Sequence, residues 1–280
     1  MLSVMGACVK YLGHGIPTGE VIFFRSLISV FVLAFIAYRT LGLRVLKTDN
    51  WRGHALRSLA GTTSMFCLFT ALTMIPLADV TTISFTSPMF VTVLAMMFLG
   101  ERIHVFRWTA LGVGLVGVLI MVSPHLSLHG GDPTGVGIAM TSAMFTALAM
   151  IFLRSMSGVE HALTITFYFM LTSMMLSLLS LPWGWVMPGR EQAIYLLLIG
   201  VIGAGGQLLV TLSYRYAEAS TIAPLDYSSM IMSAALGYWV FNEVPTWQVW
   251  WGMPLVIASG LIIFWREYRL HLQRDQLRTT

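Results

Sequence analysis

Long apolar runs separated by short polar breaks extend along almost the whole chain. Runs of about 20 apolar residues are long enough to cross the hydrocarbon of a bilayer as helices. Charged residues, prolines and glycines divide the runs into ten predicted membrane-spanning helices, at about 1–13, 20–39, 54–75, 79–99, 105–123, 134–154, 162–182, 192–213, 219–241 and 246–265. The first run is short for a span, so we expect either a short first helix or a start that lies further upstream.

The composition indicates that this chain is solvated by lipid. Hydrophobic residues make up 57% and charged residues 10% of the chain, whereas a soluble domain carries about 25% charged residues. Cys8 and Cys67 both lie in apolar runs, so neither a disulfide nor a zinc site is expected. The first run also lacks the basic segment and the cleavage site of a signal peptide.

The basic residues predict the orientation. With the N-terminus in the cytoplasm, 13 of the 16 lysine and arginine residues fall in cytoplasmic segments, as the positive-inside rule requires. These are Arg39, Arg44, Lys47, Arg52, Arg57, Arg102, Arg107, Arg154, Arg215, Arg266, Arg269, Arg274 and Arg278. Both termini are therefore predicted to be cytoplasmic, with residues 266–280 as a basic tail. Nucleic acid is not an expected partner, because these charges fix topology and meet lipid headgroups.

The chain resembles itself when it is shifted by 142 residues, which places Glu101 over Glu243 and Trp108 over Trp250. Helices 1–5, over residues 1–123, are then repeated as helices 6–10, over residues 134–265. Because five is odd, the second copy enters the membrane in the opposite direction. The predicted fold is therefore an all-α integral membrane protein of ten helices in two inverted five-helix repeats. Secondary transporters commonly have this arrangement, with the substrate site near the midplane between the repeats.

Three segments carry a family resemblance: "KYLGHGIPTGEVIFFR", "ADVTTISFTSPMFVTVLAMMFLGERI" and "RYAEASTIAPLDYSSMIMSAALGYWVFNEVP". They resemble EamA-type members of the drug/metabolite transporter superfamily, apart from a first helix that looks truncated. The resemblance implies a bacterial inner-membrane carrier of small metabolites such as amino acids, nucleobases, S-adenosylmethionine or riboflavin, in either direction. The Asp-Tyr pair in helix 9 is similar to that of S-adenosylmethionine and riboflavin carriers.

Asp226 is the first candidate for a substrate contact. It lies about 10 Å into the membrane at 1.5 Å per residue, and a carboxylate at the centre of a span costs about 2.5–3.5 kcal/mol. It shares a helical face with Ser229 and Ser233, which suits close helix contact or a cavity wall. One interpretation is that Asp226 binds a cationic group or a proton, and the other is that it bonds a neighbouring helix or Arg215. The adjacent Tyr227 is a further candidate contact.

Four other side chains within predicted spans are candidate substrate contacts: Arg25, Lys10, Gln207 and Tyr168. The planar guanidinium of Arg25 suits a carboxylate or phosphate, and the alternatives are snorkelling or a pair with Glu20. Lys10, near the outer end of helix 1, is also able to snorkel. Gln207 follows a glycine cluster that allows close helix approach. Tyr168 offers a ring for a planar substrate, although aromatic belts at the interface are commoner.

Glu101 and Glu243 end helices 4 and 9. We predict that they are structural and tie a helix end to the first turn of the next helix, where negative charge is favourable. A role in proton coupling is the alternative.

No metal or cofactor site is predicted. His125, His129 and Asp132 share the loop between helices 5 and 6, but Pro124 and two glycines favour an irregular segment. No nucleotide-binding motif occurs in the sequence.

The predicted function is secondary transport of a small organic metabolite by alternating access. The expected partners are the substrate, the lipid bilayer and protons, since a proton gradient or the substrate's own gradient would supply the energy. A membrane-embedded enzyme and a channel are the alternatives, and enzyme activity is not expected. The oligomeric state is open, with a homodimer as one option.

Overall fold

The protein is a bundle of helices that follows the predicted spans. The structure, a computed structural model, describes residues 2–13, 15–99, 105–126, 133–216, 219–244, 247–259, 261–262 and 265, some of them for the backbone alone. Its helices are α1 (Leu2–Leu12), α2 (Thr18–Thr40), α3 (Trp51–Met74), α4 (Leu77–Ser84), α5 (Ser87–Leu99), α6 (Val105–Leu126), α7 (Pro133–Ser157), α8 (Ala162–Ser177), α9 (Arg190–Tyr216), α10 (Ala219–Phe241) and α11 (247–259). Within these ranges the chain forms no β-strand.

Several helices have the length and apolarity of membrane spans. Among the described residues, five helical segments meet both criteria: Thr18–Thr40, Trp51–Met74, Pro133–Ser157, Ala162–Pro182 and Arg190–Ser213. On α2, Phe31, Phe35 and Tyr38 are 64–68% exposed and recur at helical spacing. A bundle that turns such a stripe outward requires an apolar solvent, which agrees with an all-α membrane fold.

The span predicted over 79–99 is wrong as one continuous helix. It consists of α4 and α5, which are separated by a turn at Phe85 and Thr86. The Phe85 and Thr86 N–H groups bond to carbonyls three residues back, at 3.0 and 2.9 Å. Pro88 explains the break, because it lacks the N–H that a continuous helix would donate to the Ser84 carbonyl, and its ring would clash with that carbonyl.

Arg57, which is predicted to be one of the cytoplasmic charges that set the orientation, lies inside a helix and is buried. α3 begins at Trp51, after Asn50, whose Oδ1 accepts a hydrogen bond from the Gly53 N–H at 3.2 Å. This N-cap starts the helix three residues before the predicted boundary. Arg57 therefore lies almost two turns inside α3 and is 4% exposed.

The contacts that a helix of one half makes with the other half are repeated by its counterpart in the other half. Counting α4 and α5 as one span, each helix of the first half has a counterpart five spans later: α7 for α1, α8 for α2, α9 for α3, and α10 for α4–α5. α1 packs against α9 and α10, and its counterpart α7 packs against α3 and α4–α5. Likewise, α2 packs against α9 and α8 packs against α3, whereas α2–α8 and α4–α10 join counterparts directly. A two-fold relation between the halves produces this pattern.

Candidate functional site

Arg25 lies in the core of the bundle. It is on α2, two turns after the helix begins, and is 2% exposed. Its Nη1 contacts the sulfur of Met65, and its guanidinium lies 5.8 Å from the ring centroid of Phe69. A Cβ on Gly203 of α9 would lie 2.8 Å from Arg25 Nε, so this glycine allows α9 to approach the guanidinium.

Arg25 has no carboxylate partner among the described residues. The Glu20 carboxylate, which the sequence offers as an alternative, accepts the Val186 N–H at 2.9 Å instead. Arg25 Nε and the neighbouring Ser26 Oγ are buried without a hydrogen-bond partner. Leaving a buried polar atom unpaired costs about 1–3 kcal/mol, and more for a charged group. This position is therefore suited to an acceptor that is bound or released during function.

A second group of buried polar side chains lies near the start of α3. His54, Arg57 and Ser58 are 3%, 4% and 0% exposed, and their spacing of i, i+3 and i+4 places them on one face of the helix. Arg57 Cζ stacks 4.0 Å from the ring centroid of Phe169, and the His54 ring lies 4.7 Å from that of Tyr168. Arg57 Nε and Nη1, both ring nitrogens of His54, and Ser58 Oγ have no hydrogen-bond partner.

The two groups meet the same face of α3, the first from α2 and the second from α3 itself. Arg57, Gly61, Met65 and Phe69 follow one another at intervals of four residues. Arg57 projects from one end of this row and Arg25 meets Met65 and Phe69 at the other. From position 57 to position 65 the helix rises about 12 Å. Within the described residues, two separate buried guanidinium groups with unpaired nitrogens thus lie beside α3 and α8: Arg25 of α2 and Arg57 of α3 itself.

The predicted outer ends of α1, α3 and α10 meet at Lys10. Its Nζ lies 2.6 Å from Glu243 Oε1 and donates to the Ile75 carbonyl at 2.8 Å. Glu243 Oε2 accepts the N–H of Leu77, in the first turn of α4, at 3.0 Å. The positive φ of Asn242, 53°, turns the chain back at the end of α10, a conformation that asparagine tolerates well. The helix that Glu243 meets belongs to the other half of the bundle and is not the next helix in sequence.

Two more carboxylates connect the halves at this end. Glu20 of the first half accepts the Val186 N–H, as described above. Glu191 accepts the Tyr11 hydroxyl at 3.1 Å, at the rim of a cavity of about 510 Å³. The residues at or near the predicted outer side of the membrane therefore meet at one end of the structure.

The remaining predicted site residues differ in what the structure describes of them. Tyr168 belongs to the group around His54, and Gln207 is half-buried on α9, one turn after Gly203. Asp226 and Tyr227 belong to α10, but their side chains, together with Glu101, lie outside the described residues. The assignment of Asp226 and Tyr227 to a substrate site, and of Glu101 to a structural role, stays a prediction.

His54, Arg57 and Ser58 were not selected from the sequence. The signal available was their helical spacing within a run long enough to be a span. This signal is weak, because a basic residue near the start of a predicted span also indicates orientation. Only the packing of Phe169 against it shows that the guanidinium is buried.

The fold is that of an α-helical membrane protein with two related halves and buried polar groups in its core. The model of the EamA-like transporter family matches residues 1–123 and 133–265. The chain belongs to this family, a ten-helix membrane fold with two repeats.

Three relatives have related sequences over most of their length. The pseudopaline exporter of Pseudomonas aeruginosa is 31% identical, over 93% of this chain and 88% of that protein. The S-adenosylmethionine uptake transporter of Rickettsia prowazekii is 29% identical, over 95% and 89%. The riboflavin transporter of Rhizobium johnstonii is 28% identical, over 86% and 78%. The chain is thus a multi-pass membrane transporter of small molecules and is not an enzyme.

A solved crystal structure has a similar fold. It superposes with a TM-score of 0.66 over 92% of this chain and 94% of that chain, at 17% sequence identity. At this identity the likeness concerns the fold alone.

Proposed function

We propose that the chain is a secondary carrier of a small organic metabolite that bears an anionic group, and that it works by alternating access between its two halves. The observation that carries the proposal is the Arg25 guanidinium, 2% exposed and with Nε unpaired. A carboxylate from the substrate would supply the missing acceptor, with the planar geometry that guanidinium prefers.

The relatives support this class of function and leave several substrates open. One is named as an exporter and another as an uptake transporter, so direction does not follow from similarity. An amino acid or S-adenosylmethionine carries a carboxylate, whereas riboflavin and nucleobases do not. Arg25 therefore favours substrates with an amino-acid moiety.

The remaining roles belong to the same proposal. Asp226 binds the cationic part of the substrate or a proton, and Tyr227, Gln207 and Tyr168 contact its planar or polar parts. Lys10 acts at the predicted outer end, where its bond to Glu243 forms and breaks with the transport cycle. The carrier lies in the inner membrane of a bacterium, with both termini in the cytoplasm and a proton gradient as the driving force.

Proteoliposomes with the purified protein test the proposal. Labelled S-adenosylmethionine, an amino-acid mixture and riboflavin are offered with and without a pH gradient, and uptake is read by mass spectrometry. We expect uptake of a carboxylate-bearing compound that Arg25→Gln reduces at least tenfold. Arg39→Gln, an exposed arginine in the last turn of the same helix, is the matched control. If Arg25→Gln leaves uptake unchanged, Arg25 does not bind the substrate.

A further inference from the structure

The group formed by His54, Arg57 and Ser58 has the chemistry of an anion site. All its unpaired atoms belong to side chains that are at most 4% exposed. Guanidinium offers N–H donors only, and serine and histidine are able to donate as well. A carboxylate or phosphate is the ligand that satisfies such donors and neutralises the buried charge.

A carboxylate of the protein already approaches one edge of this group. Glu160, in the connection between α7 and α8, accepts the Thr48 hydroxyl and lies 3.8 Å from His54 Nε2. It belongs to the second half, whereas Thr48 and His54 belong to the first. Of the three side chains in the group, Glu160 pairs only with His54, so Arg57 Nε and Nη1 remain without a partner in the part of the chain that the structure describes.

The group is closed in the present conformation. A Cβ on Gly61 would lie 2.5 Å from Arg57 Nη1 and 2.8 Å from Phe169 Cε2. The guanidinium is therefore held between α3 and the ring of Phe169 on α8, without space for a ligand. Separation of α8 from α3 would open this space. An anion bound there would then accept hydrogen bonds from the unpaired donors and offset the free energy that their burial costs.

From this geometry we infer that His54, Arg57 and Ser58 form a second anion-binding position, which takes the carboxylate of the transported substrate when α8 separates from α3. The inference rests on the proposed function. The substrate carboxylate then has two binding positions beside α3. The first is at Arg25, in the predicted outer half of the membrane, and the second is at Arg57, in the predicted cytoplasmic half. Phe169 covers the second binding position whenever α8 packs against α3.

Thiol labelling tests the position without knowledge of the substrate. Cys8 and Cys67 are replaced by alanine, Ser58→Cys is added, and the protein is placed in nanodiscs. Two methanethiosulfonate reagents are compared, one with a sulfonate and one with a trimethylammonium group. We expect the anionic reagent to react at least about tenfold faster, since a site lined by one sign of charge concentrates counter-ions to that degree. Arg57→Gln removes this preference.

Ser142→Cys is the reference position. Ser142 is 1% exposed on α7, and its hydroxyl donates to the Ser64 carbonyl at 2.9 Å. Both reagents should react there at similar, low rates. No reaction at Ser58→Cys would show that the group never opens, and equal rates for the two reagents would show that it does not select anions. Either result overturns the inference.

Competition identifies the anion. Sodium acetate is expected to slow the sulfonate reagent at Ser58→Cys, relative to sodium chloride of equal ionic strength. Protection by inorganic phosphate alone would overturn the assignment to a carboxylate.

Transport gives a second measurement that separates this inference from the proposed function. Arg57→Gln is expected to reduce transport at least tenfold and Arg57→Lys to restore part of it, because the charge returns without the planar fork. Arg52→Gln, an exposed arginine on the same helix, should leave transport unchanged. If Arg25→Gln abolishes transport but Arg57→Gln does not, the second binding position is overturned and the proposed function remains intact.

Discussion

The ammonium of Lys10 and the carboxylate of Glu243, 2.6 Å apart, join the first helix of one half to the end of α10 in the other. The side chains are only 10% and 21% exposed, and each also bonds a backbone group of the α3–α4 connection. Glu243 thereby acts as a cap for α4, whose first turn favours a negative charge. One ion pair thus fastens three helix ends at the predicted outer side.

Glu243→Gln should destabilise the folded protein by about 1–3 kcal/mol, because it leaves Lys10 without its charged partner. The loss is measured as a lower midpoint of thermal unfolding in detergent. Glu191→Gln, which weakens a bond at the exposed Tyr11 hydroxyl, should change the midpoint little. The double variant Lys10→Met/Glu243→Gln should lose less stability than the two single variants combined. Strict additivity would mean that the pair does not couple.

Gly203→Ala should reduce transport by displacing Arg25, since the new Cβ would lie 2.8 Å from its Nε. The change should not reduce the yield of folded protein, because alanine favours a helix interior by roughly 0.5–1 kcal/mol relative to glycine. Gly137→Ala on α7, whose Cβ would have open space around it, is the control. Unchanged uptake by Gly203→Ala would show that the position of Arg25 does not limit transport.

Hydropathy predicted most of the fold because the thickness of a bilayer fixes the length of a span. The sequence predicts one continuous helix across Phe85 despite Pro88, because membrane helices often tolerate proline. The sequence predicts Arg25 as a substrate contact; the structure buries it in the bundle, and its role stays a prediction. The sequence does not predict Arg57 as a site residue, because a basic residue near the start of a span indicates the orientation of the helix. Its contact with Phe169 joins positions more than a hundred residues apart, which no local pattern reveals.

Pro88→Ala should make the α4–α5 segment more continuous. Alanine restores the N–H that proline lacks and removes the clash of the proline ring with the Ser84 carbonyl. Amide hydrogen exchange measured by mass spectrometry over residues 85–89 should therefore become slower. Exchange in a peptide from α7 serves as the internal reference. If exchange over 85–89 stays the same, tertiary packing and not Pro88 sets the break.

The contact between α6 and α11 depends on glycine. A Cβ on Gly117 would lie 2.8 Å from the carbonyl oxygen of Gly252, and a backbone atom in a helix is unable to move aside as a flexible side chain does. Gly117→Val should therefore force the two helices apart and cost about 1–3 kcal/mol, the usual range for overpacking. Gly112→Val on the same helix meets open space and should cost little, because valine has a higher helix propensity than the glycine it replaces. The difference between the two unfolding midpoints measures the contact itself, so equal midpoints would show that α6 and α11 do not need this close approach.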